Sequence, residues 1–138
     1  MGTKLSKAYL LTKVLTANNC EVVLYLYEGA IGYLHRATEA IRKGQPGEAG
    51  QKIERAINII IEMSGNLNYS GSGQLALRLE GIYNYLIESL SLANSRKDIQ
   101  AIEACEGILV ILHDAWQQAS SSPEARIDQS KPQLRISA

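Results

Sequence analysis

"LYLYEGAIGY", residues 24–33, is the stretch on which the fold turns. The residues around it repeat at helical spacing, yet it holds Gly29 and Gly32, and each glycine costs a helix interior roughly 1 kcal/mol against alanine. Three tyrosines, Tyr25, Tyr27 and Tyr33, crowd the same turns. Outward from here, Val23, Tyr27, Ala30, Leu34, Ala37 and Ile41 are spaced alternately four and three apart, the stripe of one helix face. The helix reading therefore wins over the glycines, and predicts a helix over 18–42. Asn18 followed by Glu21 has the form of a capping box. Two uses of the glycines stay open: they let another backbone approach closely, or they ease packing inside the molecule.

The same spacing recurs three times. Ala49, Ile53, Ala56, Ile60, Met63 and Leu67 mark a helix over 46–67 that opens on Pro46, a favoured first residue. Leu75, Leu79, Ile82, Leu86, Ser89 and Ala93 mark one over 72–94. Ile102, Cys105, Leu109, Leu112, Trp116 and Ala119 mark one over 98–119. The punctuation "RKGQPGE", "NYSGSGQ" and "ANSRKD" separates them. No alternating β pattern competes. Four helices of similar length joined by short turns predict an all-α, antiparallel up-down-up-down four-helix bundle. The expected organisation is one domain over 1–119 with an N-terminal arm over 1–17. The polar segment 120–138, which has no periodic stripe, is expected to be a disordered tail.

The bulk numbers narrow the function. The 138 residues carry a formal net charge of zero, 46% apolar and 20% charged side chains, which argues against a nucleic-acid binder. Lys4, Lys7 and Lys13 make the arm locally basic, which reads as solvation. Cys20 and Cys105 belong to no CxxC pair and read as reduced structural thiols. The apolar run "VVLYLY" is bounded by Glu21 and Glu28 and is too short to span a bilayer, and no signal peptide is recognisable. A cytoplasmic protein without membrane insertion is expected. No catalytic, metal or cofactor constellation emerges. Neither His35 nor His113 has a glutamate three residues before it, as a di-iron bundle would need. "SGSG" at 70–73 lacks the lysine and the preceding strand of a phosphate-binding loop.

Apolar residues nevertheless exceed what one seam uses. Ile57, Ile59 and Ile61 are surplus in the second helix, and Leu77, Tyr83, Tyr85, Leu90 and Leu92 in the third. Tyr9, Leu10, Leu11, Val14 and Leu15 add to this in the arm. Some of this surplus should reach the surface, where a contiguous patch marks a partner site.

Several motifs resemble one family. They are Ala8-Tyr9, Val14 and Thr16-Ala17 in the arm, then Leu26-Tyr27-Glu28-Gly29-Ala30. Further on come "AINIIIEMSGNLN" over 56–68, Ile82-Tyr83-Asn84-Tyr85, Ala93-Asn94 with Asp98, and Ala115-Trp116. Their order and spacing over residues 8–119 resemble the flagellar secretion chaperone family, FliS, which binds flagellin. Asn19 stands where the family often has proline, and Glu88-Ser89 where it commonly has an arginine pair. No contact of those arginines is carried over.

The resemblance implies a non-enzymatic cytoplasmic export chaperone. It would bind the C-terminal segment of flagellin, prevent premature polymerisation and deliver it to the flagellar type III export apparatus, the export gate being a further partner. Without client, a monomer or weak dimer is expected. The expected client contacts are Tyr9, Val14, Tyr27, Gly29, Ala30, Ile57, Asn58, Ile61, Leu79 and Tyr83. Helix-in-groove recognition suits such a client, and a large apolar footprint offsets the cost of ordering it. The arm is expected to cover part of the groove as a removable strap. A different class remains open: a helical adaptor that binds another amphipathic helix, or self-associates.

Overall fold

The computed structural model describes residues 20–67 and 73–120, without the side chains of Cys20 and Ser120. Four helices run through them: α1 Cys20–Arg42, α2 Pro46–Gly65, α3 Gly73–Arg96 and α4 Ile99–Ser120. Helix α1 packs on α2 and α4, and α3 packs on the same two helices, so α1 and α3 face each other diagonally across a square. This is the antiparallel bundle expected from the spacing, and no strand occurs among the described residues. The arm, the Asn18 end of the capping box, and the tail beyond Ser120 lie outside the described residues.

Local chemistry sets the turns. Helix α1 ends in a Schellman motif: Gln45 N–H donates to the Ala40 carbonyl at 2.8 Å and Gly44 N–H to that of Ile41 at 3.0 Å. This closure puts Gly44 at φ 74°, where only glycine is free of strain. Pro46 then opens α2 with its fixed φ and its missing donor. The α3 end uses the same motif, with Asp98 N–H on the Ala93 carbonyl at 3.0 Å. Here the left-handed residue is Lys97, φ 50°. Its ammonium donates to both the backbone and the side-chain oxygen of Asn94 at 2.8 Å. Asp98 caps α4 by accepting from Ala101 N–H at 3.1 Å.

The core follows the sequence stripes with one correction. In α2 the expected Ala49, Ile53, Ala56, Ile60 and Met63 are all buried. In α1, Tyr27, Ala30, Leu34 and Ala37 hold, and Val22 and Ala40 are buried where Val23 and Ile41 were expected. The helix sits against two neighbours, so its buried face is wider than one seam. In α3 the row Leu79, Leu86 and Ala93 holds, but its companion row is Ala76, Tyr83 and Leu90, each one residue beyond the expected Leu75, Ile82 and Ser89. Both rows flank the shared one equally well. Burying Leu90 rather than Ser89 decides the packing there, and Tyr83 enters because its hydroxyl finds a partner inside.

That partner is Tyr27. The two hydroxyls meet at 2.6 Å in the core, with ring centroids 6.5 Å apart and tilted by 52°. Trp116 of α4 packs on the same core and offsets part of the effect of burial on the Tyr27 phenol. The bond joins the two diagonal helices directly and satisfies hydroxyls that would be costly to bury alone. Burial pushes both phenols above their ordinary pKa, so they stay neutral.

Candidate functional site

Helix α3 departs from an ordinary amphipathic pattern. Besides its buried rows it leaves Leu75 46%, Leu77 59%, Tyr85 58% and Leu92 54% exposed. A helix normally turns polar residues to water, so this exposed apolar surface is the candidate site. By helical spacing Leu77 lies on the outer face of α3, away from its buried rows. Leu75 lies on the α4 side, and Tyr85 and Leu92, seven residues apart, share the outer face.

Each neighbour of α3 extends this surface. On α2, Ile61 is half exposed, while Ile57 is partly buried and packed on the core. On α4, Ile111 is largely exposed, one turn beyond the partly buried Ile108. Between α3 and α4 lies a cleft of about 190 Å³, with Tyr85 and Leu92 at its rim and Ala101, Ala104, Cys105 and Ile108 along its wall. The small residues of α4 create the gap, since alanine leaves space where a larger side chain would close the two helices together. Arg96 and Asp98 stand at one end. The Cys105 thiol is buried and free, and burial pushes its pKa up, so it is a poor nucleophile.

The sequence-expected contacts divide into three groups. Ile57, Asn58 and Ile61 share the α3-facing and outer sides of α2, with Asn58 exposed. Tyr27, Ala30, Leu79 and Tyr83 are core residues with no surface to offer, because their side chains fill the space between the helices. Tyr9 and Val14 lie outside the described residues. Gly29 is an α1–α2 packing position: a Cβ there would stand 3.4 Å from Ile59 Cδ1. At Gly32 a Cβ would stand 3.8 Å from the Arg36 guanidinium, an ordinary contact within α1, and no backbone of another helix comes near it. Of the two uses left open for the glycines, packing within the bundle is the one the described geometry supports.

Ile111 escaped sequence reading, and Leu75 was assigned to the core. The available signal was the second apolar face of α4, where Ala104, Ile108, Ile111 and Ala115 recur at helical spacing.

Polar ties hold α1 to α4 away from this surface. Arg42 donates to Glu103 at 2.9 Å. The His113 ring lies between Glu28 of α1 at 2.9 Å and Asp114 at 3.0 Å, and is mostly covered. Hydrogen bonds to Asp114 and Glu28 raise its pKa above the usual histidine value. Burial raises the Glu106 carboxyl, offset by nearby His35. Among the described residues no group of three or more histidine, cysteine or acidic side chains is placed to hold a metal ion, and no helix is long and apolar enough to cross a membrane.

The family model for flagellar protein FliS matches residues 1–123. The flagellar secretion chaperone FliS of Salmonella typhimurium is 34% identical over 119 residues, covering 86% of this chain and 87% of that one. That of Bacillus subtilis is 30% identical over 115 residues, covering 83% and 85%. That of Escherichia coli is 29% identical over 111 residues, covering 80% and 82%. With a four-helix bundle and a match along nearly its whole length, the chain belongs to the FliS family of flagellar secretion chaperones, and its role is that of a chaperone in flagellar export.

Proposed function

We propose that the protein binds the C-terminal segment of flagellin in the cytoplasm, keeps it from polymerising early, and delivers it to the flagellar type III export apparatus. The observation that carries this reading is the apolar surface of α3, continued by Ile61 on α2 and Ile111 on α4. A client segment that assembles through amphipathic helices exposes a sticky stripe when free. The sides of α3 cover such a stripe without enclosing the client in a globular core, so it stays thin enough for a channel. Ile57, Asn58 and Ile61 form one wall of the footprint, and the α3–α4 cleft forms a pocket for one bulky apolar side chain of the client. No step of this role needs bond chemistry, and the protein acts as a binding partner rather than an enzyme.

The test is calorimetric titration of the chain with a flagellin C-terminal peptide, alongside a flagellin polymerisation assay. One-to-one binding with a negative heat-capacity change and delayed polymerisation are expected. A chain that binds the peptide no better than a scrambled one would overturn the reading. It would favour the helical adaptor with a different client, which co-purification from cells would identify.

A further inference from the structure

The face of the bundle opposite the α3–α4 cleft carries an arrangement that a client side chain seated in that cleft does not touch. In the square of helices the outer α1–α2 groove lies across the molecule from the outer α3–α4 groove. In it, two arginines from different helices converge on one aromatic ring. The Arg36 guanidinium carbon stands 5.3 Å from the Tyr33 ring centroid, and that of Arg55 5.9 Å from the same centroid. Lys52 lies one turn before Arg55 on the same side of α2.

Neither arginine has a carboxylate partner within salt-bridge distance among the described residues. Glu39, three residues beyond Arg36, is engaged with His35 at 3.5 Å. Glu48 and Glu62 lie two turns either side of Arg55 along α2. Two like charges gathered about one ring repel each other. The ring's negative face offsets part of this, and each guanidinium keeps N–H donors to offer a carboxylate.

We infer that the Arg36–Tyr33–Arg55 cluster is a docking site for an acidic segment of a second protein partner. Its carboxylates pair with the two guanidiniums while its stem lies on the tyrosine ring. A nucleic acid does not fit, because it needs a longer basic track than three cations flanked by Glu48 and Glu62, on a chain of zero net charge. The site and the α3–α4 cleft lie on opposite sides of the bundle, so an acidic segment and a client side chain seated in that cleft can be bound at once.

The probe is a fluorescein-labelled decaglutamate peptide, titrated into the full chain at low salt. Binding that weakens with salt is expected. The Arg36→Gln/Arg55→Gln variant, its helix content checked by circular dichroism, should lose roughly five- to tenfold in affinity. An Arg78→Gln/Arg96→Gln variant on α3 should bind as the parent does. Chemical shifts of the Arg36 and Arg55 Nε–Hε groups should move with decaglutamate. No binding, equal binding by the first variant, or equal binding of decalysine overturns the proposal. So does a response of those arginines to inorganic phosphate alone, which would make this a small-anion site. Failure of flagellin binding with decaglutamate binding intact would sink the client reading and leave this one standing, whereas displacement of decaglutamate by a flagellin peptide would refute the separation of the two faces.

Discussion

Tyr27 shows what one buried polar atom does. Its oxygen meets the Tyr83 hydroxyl, so one hydrogen bond links the diagonal helices α1 and α3. Tyr27→Phe and Tyr83→Phe each delete that bond and leave the other hydroxyl buried alone, at a cost of about 1–3 kcal/mol. The double variant Tyr27→Phe/Tyr83→Phe strands no hydroxyl and should lose less than either single variant. Urea unfolding of the three variants checks the order, and single variants as stable as the parent would mean that the bond contributes nothing. His113 gives a pH signature at the same scale. Its pKa is raised in the folded state by Asp114 and Glu28, so the stabilisation is fully present below the unfolded histidine value and is lost as pH rises through the folded one. Unfolding of His113→Gln against the parent should thus differ more at acid than at alkaline pH. The difference should be under about 1 kcal/mol because both carboxylates are well exposed.

Among the elements, the ends and contacts of α1 and α2 are sharply specified. Gly44 sits in the left-handed region, so Gly44→Ala should destabilise the turn by about 1 kcal/mol. Gly47, inside α2 with nothing within 4 Å of where a Cβ would stand, is the control: Gly47→Ala should stabilise by up to about 1 kcal/mol through helix propensity. Thermal melts of the pair should move in opposite directions. Within the α1–α2 contact, Gly29→Leu drives extra carbons towards Ile59 and should cost about 1–3 kcal/mol as overpacking. If that variant keeps its melting temperature and loses only client affinity, Gly29 is a binding position rather than a packing one.

For the whole molecule, the question is which apolar side chains hold the bundle and which are held ready for another chain. Tyr85 and Leu92 share an exposed face of α3. Tyr85→Ser/Leu92→Ser should leave the melting temperature nearly unchanged and weaken binding of a flagellin C-terminal peptide by tenfold or more, on the usual scale of apolar contacts at an interface. Ile61→Ser should behave in the same direction, whereas Ile57→Ser should also lose stability because Ile57 packs on the core. A drop in melting temperature for the Tyr85/Leu92 variant with unchanged binding would return those residues to a structural role.

Spacing alone determined the four helices, the all-α bundle, and most of the buried stripe, because hydrophobic period and turn residues are local properties. It also gave the Pro46 start of α2 and the apolar surplus of α3. It did not decide which of two adjacent rows in α3 turns inward. That choice depends on what faces it: Tyr83 is a core residue only because Tyr27 reaches it from the diagonal helix. For the same reason Tyr27, Ala30, Leu79 and Tyr83 looked available to a partner in sequence and are enclosed in the fold. The pairing of Gly29 with Ile59, and of Arg36 with Arg55 about Tyr33, joins side chains from two different helices. Only the tertiary structure brings such distant groups together, since no periodicity within one helix encodes the face that its neighbour presents.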